Sequence, residues 1–208
     1  IQMSYLEISI IFSYCLLFIA FFSGLSNSKV RQHKLSRSYL RYIGFFLGIE
    51  TIRLLSEYVF NYRINGIYPF YVILEFLLLL HFLQISIGNS KKLKITFGVF
   101  ASSFVIVTFI LYIFFDPKDI NYSKVISHIL ITIFTVFILL KNLKEVEVVN
   151  LFLPIYGALL LYYATSIFLF LLGDQIININ INVWSINNLL TCVLYACSIY
   201  TFHQLKKS

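Results

Sequence analysis

Residues 67–88 read IYPFYVILEFLLLLHFLQISIG, with one carboxylate, Glu75, one imidazole, His81, and no lysine or arginine. At about 1.5 Å of rise per residue, a helix of this length crosses a hydrocarbon core of about 30 Å. A strand of a membrane barrel would alternate apolar and polar side chains, and the run LEFLLLLHFL does not. Helix is the form required, because lipid offers no partner to an exposed backbone N–H or C=O.

Six further runs of the same kind flank this one, at about 4–24, 39–60, 95–115, 122–141, 151–172 and 183–203. The fifth in order, 122–141, is short, holds His128, and could be tilted or partly interfacial. The chain is 60% hydrophobic and 12% charged, against about 25% charged in an ordinary soluble domain. The expectation is therefore all-α: a polytopic integral membrane protein, one domain over 1–208, folded as a seven-transmembrane-helix bundle. Its first partner is the lipid bilayer. No basic flank precedes the first run and no small-residue cleavage site follows it, so a cleaved signal peptide is not expected.

The net charge of +7 would point a soluble chain toward nucleic acid, but here the position of the charges matters more. Lys29, Arg31, Lys34 and Arg37 lie between the first and second runs, with Arg41 just inside the second. Lys91, Lys92 and Lys94 follow the third, Lys141 and Lys144 the fifth, and Lys206 and Lys207 the seventh. The alternate connections hold only Arg63, Lys118 and Lys124. Basic loops stay cytoplasmic, which predicts the N-terminus outside and the C-terminus in the cytoplasm of a multi-pass protein of the cell membrane. No nucleic-acid partner is expected.

Charge inside the spans is the candidate chemistry. Glu50, Arg53, Glu57 and Glu75 fall within the second and third runs. Each ionisable group at membrane depth costs about 2.5–3.5 kcal/mol or more, so such groups turn from lipid toward one another. Glu50, Arg53 and Glu57 lie within about 60° of each other on a helix. Gly44 and Gly48, a GxxxG pair, occupy the opposite side as a packing face. Depth matching across the short loop predicts an ion pair among Arg53, Glu75 and either Glu50 or Glu57. That cluster is either a static clamp between helices or a site for a ligand, an ion or a proton.

The seventh run carries a second polar stripe with Trp184, Asn187 and Asn188 in its first third. Asn side chains there either glue helices together or line a site. Tyr162 and Tyr163 lie near the middle of the sixth run and His128 near the start of the fifth. Convergence of these faces would make a polar pocket in the outer half of the bundle. His81 and Gln84 share a different face, nearer the cytoplasm. No metal-ligand spacing is present, and Cys15, Cys192 and Cys197 read as packing residues. No cofactor is implied.

HExxH, GxSxG, P-loop and dinucleotide-turn signatures are missing, so no catalytic residue is assigned. A Glu within YVILEFLLL, a Tyr-rich sixth run, and a seventh run opening on Asn-Asn and ending in a basic tail resemble small seven-helix membrane proteins of Bacteroidota-type genomes. That resemblance carries no activity over to named residues. The residues fit first a sensor or receptor-like module, with a small-molecule or ion ligand in the outer pocket and a separate cytoplasmic or membrane protein partner. A small ion- or proton-coupled transporter using Glu50 and Glu75 is the alternative, and would need a polar path past His81 and Gln84. A structural subunit of a membrane complex is the third.

Overall fold

The computed structural model describes residues 4–58, 68–88, 91–114, 120–144, 150–172 and 183–207. Among them are eight helices: α1 Tyr5–Ser26, α2 Ser28–Gln32, α3 Lys34–Tyr58, α4 Tyr68–Ile87, α5 Lys91–Phe114, α6 Ile120–Lys144, α7 Leu153–Leu171 and α8 Trp184–Lys207. Every one except α2 and α3 is long and apolar enough to cross a membrane, six in all. The chain is a polytopic helical membrane protein. The side chain of Glu57, the loop charges Arg63 and Lys118, and the Asn-rich stretch 178–182 lie outside the described residues.

The helix starts follow local chemistry. Ser4 caps α1, its hydroxyl accepting from the Glu7 amide at 3.2 Å while the Glu7 carboxylate accepts from the Ser4 amide at 2.8 Å. These reciprocal bonds satisfy two donors that a helix start otherwise leaves open. Pro154 sits in the first turn of α7, where its missing N–H costs nothing. Gly88 follows α4 with φ +122°, a conformation that favours glycine.

Two segments differ from the sequence expectation. The run at 122–141 is a full helix of 25 residues, beginning at Ile120 and ending at Lys144. The second run begins five residues earlier than expected, at Lys34, because α2 is a separate single turn joined to it through His33.

Neighbouring helices form a ring in the order α1, α3, α4, α6, α7, α8, closed by α8 against α1. Helix α5 stands outside it against α4 and α6, turning Phe97 to Phe134 and Phe104 to Phe76. Polar contacts fix the levels. Asn188 Nδ2 donates to Ser9 Oγ at 3.0 Å at one end of the α1–α8 pair, and Asn27 Nδ2 to the Phe202 carbonyl at 2.9 Å at the other. Lys141 Nζ donates to the Ile87 carbonyl, Tyr156 to Ser86, and Thr201 to the Leu151 carbonyl. The first of these joins the ends of α6 and α4, the other two join α4 and α8 to the start of α7, and we call that end lower. The start of α1 marks the upper end. The basic ends of α6 and α8, the basic start of α5 and helix α2 all belong to the lower end.

The lower half is packed solid with large side chains. Tyr39, Tyr42, Phe82, Leu79, Leu83, Tyr156 and Phe202 are buried. Tyr39 stacks on Tyr42 and meets Phe82, which in turn meets Tyr156. Burying this much aromatic surface in one layer accounts for the closeness of α3, α4, α7 and α8.

Candidate functional site

At the upper end the ring of helices surrounds an open space. A cavity of about 340 Å³ opens between α1, α3, α4, α6, α7 and α8. Helical spacing builds its walls. Helix α1 presents Leu6, Ile10, Ser13, Tyr14 and Leu17, and α3 presents Phe46, Glu50 and Arg53. From α8 come Trp184, Asn187, Asn188, Thr191 and Tyr195, one stripe that holds every polar residue of its first two turns except Ser185. Tyr71 of α4, Lys124 of α6, and Tyr162 and Phe170 of α7 complete the lining.

Two charged groupings face one another across this space. On one side Arg53 Nε donates to Glu50 Oε2 at 2.9 Å, Glu50 Oε2 accepts from the Tyr14 hydroxyl at 2.7 Å, and the Arg53 guanidinium also meets that hydroxyl. The Arg53 side chain is 50% exposed. On the other side the Lys124 ammonium lies 4.9 Å from the centre of the Tyr71 ring and 4.6 Å from that of Phe170. Facing two ring faces at once is a way to hold a cation where water is scarce. On α8 the Asn187 carbonyl accepts from Ser166 at 2.6 Å, and the Asn188 amide donates to Ser9. Both asparagines thus tie helices together and still face the cavity.

One turn further down lies a second, fully buried group. Glu75 sits one turn below Tyr71, and His128 one turn below Lys124. The Tyr163 hydroxyl donates to Glu75 Oε1 at 2.9 Å and stands 2.9 Å from the Tyr42 hydroxyl. His128 meets the Tyr163 ring edge-on at 4.6 Å, and its Nε2 is 3.9 Å from Glu75 Oε1. Tyr162, in the cavity wall, packs edge-on against Tyr163.

The structure therefore gathers Glu50, Arg53, Tyr162, Trp184, Asn187 and Asn188 around one cavity, and Glu75, His128 and Tyr163 directly below it. Of the ion pair expected among Arg53, Glu75 and either Glu50 or Glu57, the structure has Arg53 paired with Glu50, while Glu75 meets Tyr163 and His128. Arg53 turns toward α1, whereas Glu75 turns toward α6 and α7. Equal depth did not mean equal azimuth. The two glycines expected to share a packing face also divide. A Cβ on Gly44 would stand 2.8 Å from the Phe21 ring, but one on Gly48 would meet nothing within 4 Å. At Gly24 a Cβ would come within 2.7 Å of both Leu40 and Phe202. His81 is exposed on the outside of the bundle.

Lys124 is the residue the sequence reading misplaced, as one of three charges in a loop. Its spacing of four from His128 puts the two on one helix face, and that signal was available. Tyr14 is a polar tip inside an apolar run, and nothing in the sequence of α1 alone pairs it with Glu50. Among the described residues no group of three or more His, Cys, Asp or Glu is gathered so as to hold a metal ion.

The chain matches no known protein family, no curated protein and no solved structure.

Proposed function

We propose that this chain is a receptor-like membrane module that binds a small polar ligand in the upper cavity and signals to a separate protein at its lower face. The observation that carries the reading is the cavity itself, lined by an Arg–Glu pair, a Lys and two Asn and backed by aromatic rings. Binding sites commonly combine an apolar wall with a few placed polar groups in this way. Directly below, the large buried side chains of Tyr39, Tyr42, Phe82 and Leu79 fill the bundle, which favours a pocket closed below over an open polar continuation toward the lower face. A carrier would need such a continuation. The exposure of His81 supports the receptor-like reading over a route past His81 and Gln84.

In this reading all seven long helices cross the membrane, α3 included. Its support is position: α3 packs between α1 and α4, with Glu50 meeting Tyr14 near the top and Leu40 lying beside Gly24 near the bottom. Its charges at 50 and 53 face the cavity and not lipid alone. The basic lower end is then cytoplasmic, the upper cavity faces outward, and the bacterial inner membrane is the location. The lower basic surface is where the partner docks.

Trp184 is the only tryptophan of the chain and it lines the cavity, so its fluorescence reports on that space directly. The test is a screen of amino acids, sugars, nucleosides and small carboxylates against purified protein in lipid nanodiscs. A compound that shifts Trp184 emission, and no longer does so in the cavity-filling variant Thr191→Phe, is the expected result. Failure of every compound to move the emission sinks the ligand reading. Accumulation of a binding compound inside proteoliposomes replaces it with the carrier reading.

A further inference from the structure

The lining of the cavity does not include the buried pair beneath it. Glu75 and His128 are 1% and 0% exposed. Among the described residues, Oε2 of Glu75 and both ring nitrogens of His128 have no hydrogen-bond partner. Three orphaned polar atoms within one small volume are costly at this depth, where neither lipid nor packed side chains replace water.

A single proton repairs much of the deficit. Placed on Glu75, it makes a carboxyl O–H that a neutral imidazole nitrogen accepts. Placed on His128, it makes a ring N–H that the carboxylate accepts. A shift of under about 1 Å closes the present 3.9 Å separation to hydrogen-bond distance. In both arrangements the pair has no net charge. Without the proton the pair keeps a net negative charge, whether the Tyr163 hydroxyl alone or also the N–H of a neutral ring donates to the carboxylate; with two, a buried imidazolium is left facing a neutral acid. Low dielectric opposes both alternatives, and the two groups titrate as one unit.

We propose that Glu75 and His128 form a proton-binding site that holds one shared proton and makes the bundle responsive to pH. Five helices present titratable groups toward it. These are Tyr42 and, higher up, Glu50 from α3, Tyr71 from α4, Lys124 from α6, Tyr162 and Tyr163 from α7, and Tyr195 from α8. Lys124 is the cation near both members of the pair. It is held against the Tyr71 and Phe170 rings above them.

The proton's position reaches both halves of the bundle. His128 packs on Phe170 at 5.6 Å and Phe170 on Trp184 at 5.5 Å, which leads up to the cavity wall. Glu75, Tyr163 and Tyr42 lead down into the packed layer. Proton binding here does not depend on the cavity taking a ligand.

The experiment is pH-difference infrared spectroscopy with Trp184 emission, on the full chain in lipid nanodiscs between about pH 4 and pH 9. The expected result is a carboxyl band that changes with pH in the wild type, disappears in Glu75→Gln, and moves in frequency in His128→Gln. A pH-dependent step in Trp184 emission should vanish in Glu75→Gln as well. Should Glu75→Gln fail to fold, His128→Gln decides alone: an unmoved band overturns the shared proton. Persistence of band and step in a folded Glu75→Gln overturns it too, as does their absence from the wild type. A step whose midpoint follows Na⁺ or Zn²⁺ concentration would assign the site to a metal ion instead.

Discussion

Tyr14 on α1 and Glu50 on α3 meet at 2.7 Å, and Arg53 closes on the same phenol from one turn further along α3. Thirty-six residues separate the first two partners, and this triad ties the middle of α1 to the upper half of α3. Tyr14→Phe keeps the ring and removes the hydroxyl. It should destabilise the bundle by roughly 0.6–1.7 kcal/mol, the range for a single interhelical hydrogen bond in a membrane protein. Unfolding in mixed micelles, followed by circular dichroism, measures it. A loss within error of zero would mean that the Arg53–Glu50 pair is self-sufficient within α3.

Gly24 and Gly48 should respond in opposite directions to the same methyl group. At Gly24 the added carbon would stand 2.7 Å from Leu40 and from Phe202, pressing on α3 and α8 together. Overpacking of this kind costs about 1–3 kcal/mol. At Gly48 it meets nothing within 4 Å, and alanine is the better helix former by about 1 kcal/mol. Gly24→Ala should therefore lower the unfolding midpoint and Gly48→Ala leave or raise it. The same order in both variants would contradict the packing described.

Much of the fold was readable because the bilayer restricts what an apolar run can do. Long stretches such as 67–88 have one available conformation, and their ends follow from length. What resisted reading is azimuth. A helix stripe says that Glu50 and Arg53 share a face, and it correctly kept them together. It does not say that this face looks at Tyr14 while the Glu75 face looks at Tyr163 and His128. Lys124 failed for a related reason. A lysine near the end of an apolar run reads as interfacial until one knows that Tyr71 and Phe170, each about fifty residues away in sequence, bring their rings to it. The pocket-forming faces of α3, α7 and α8 were legible as stripes, and their meeting was not.

Membrane-impermeant thiol labelling tests the seven crossings and the orientation. With Cys15, Cys192 and Cys197 replaced by serine or alanine, single cysteines at Ser4 and Lys207 mark opposite ends of the bundle. Ser4 should label in intact cells and Lys207 only after permeabilisation. Labelling of both from one side would leave α3 lying on the membrane and not through it, and with it would go the outward-facing cavity.

Tyr163 and Tyr42 share one hydrogen bond, yet their removal should not cost the same. The Tyr163 hydroxyl donates to Glu75, so Tyr42 is left to donate to Tyr163. Tyr42→Phe loses one bond and leaves Tyr163 still holding the carboxyl, a loss of about 0.6 kcal/mol on the scale of membrane hydrogen bonds. Tyr163→Phe loses both, and among the described residues it takes away the one hydrogen-bond donor that Glu75 has. An unsatisfied buried polar group adds roughly 1–3 kcal/mol to the ordinary loss, more where it is charged. Combining Tyr163→Phe with Glu75→Leu removes the orphan together with its donor and should recover part of that loss. Unfolding midpoints of the three variants measure the difference. Equal losses for Tyr42→Phe and Tyr163→Phe would show that Glu75 does not depend on Tyr163, and that the contact with His128 alone stabilises the carboxyl.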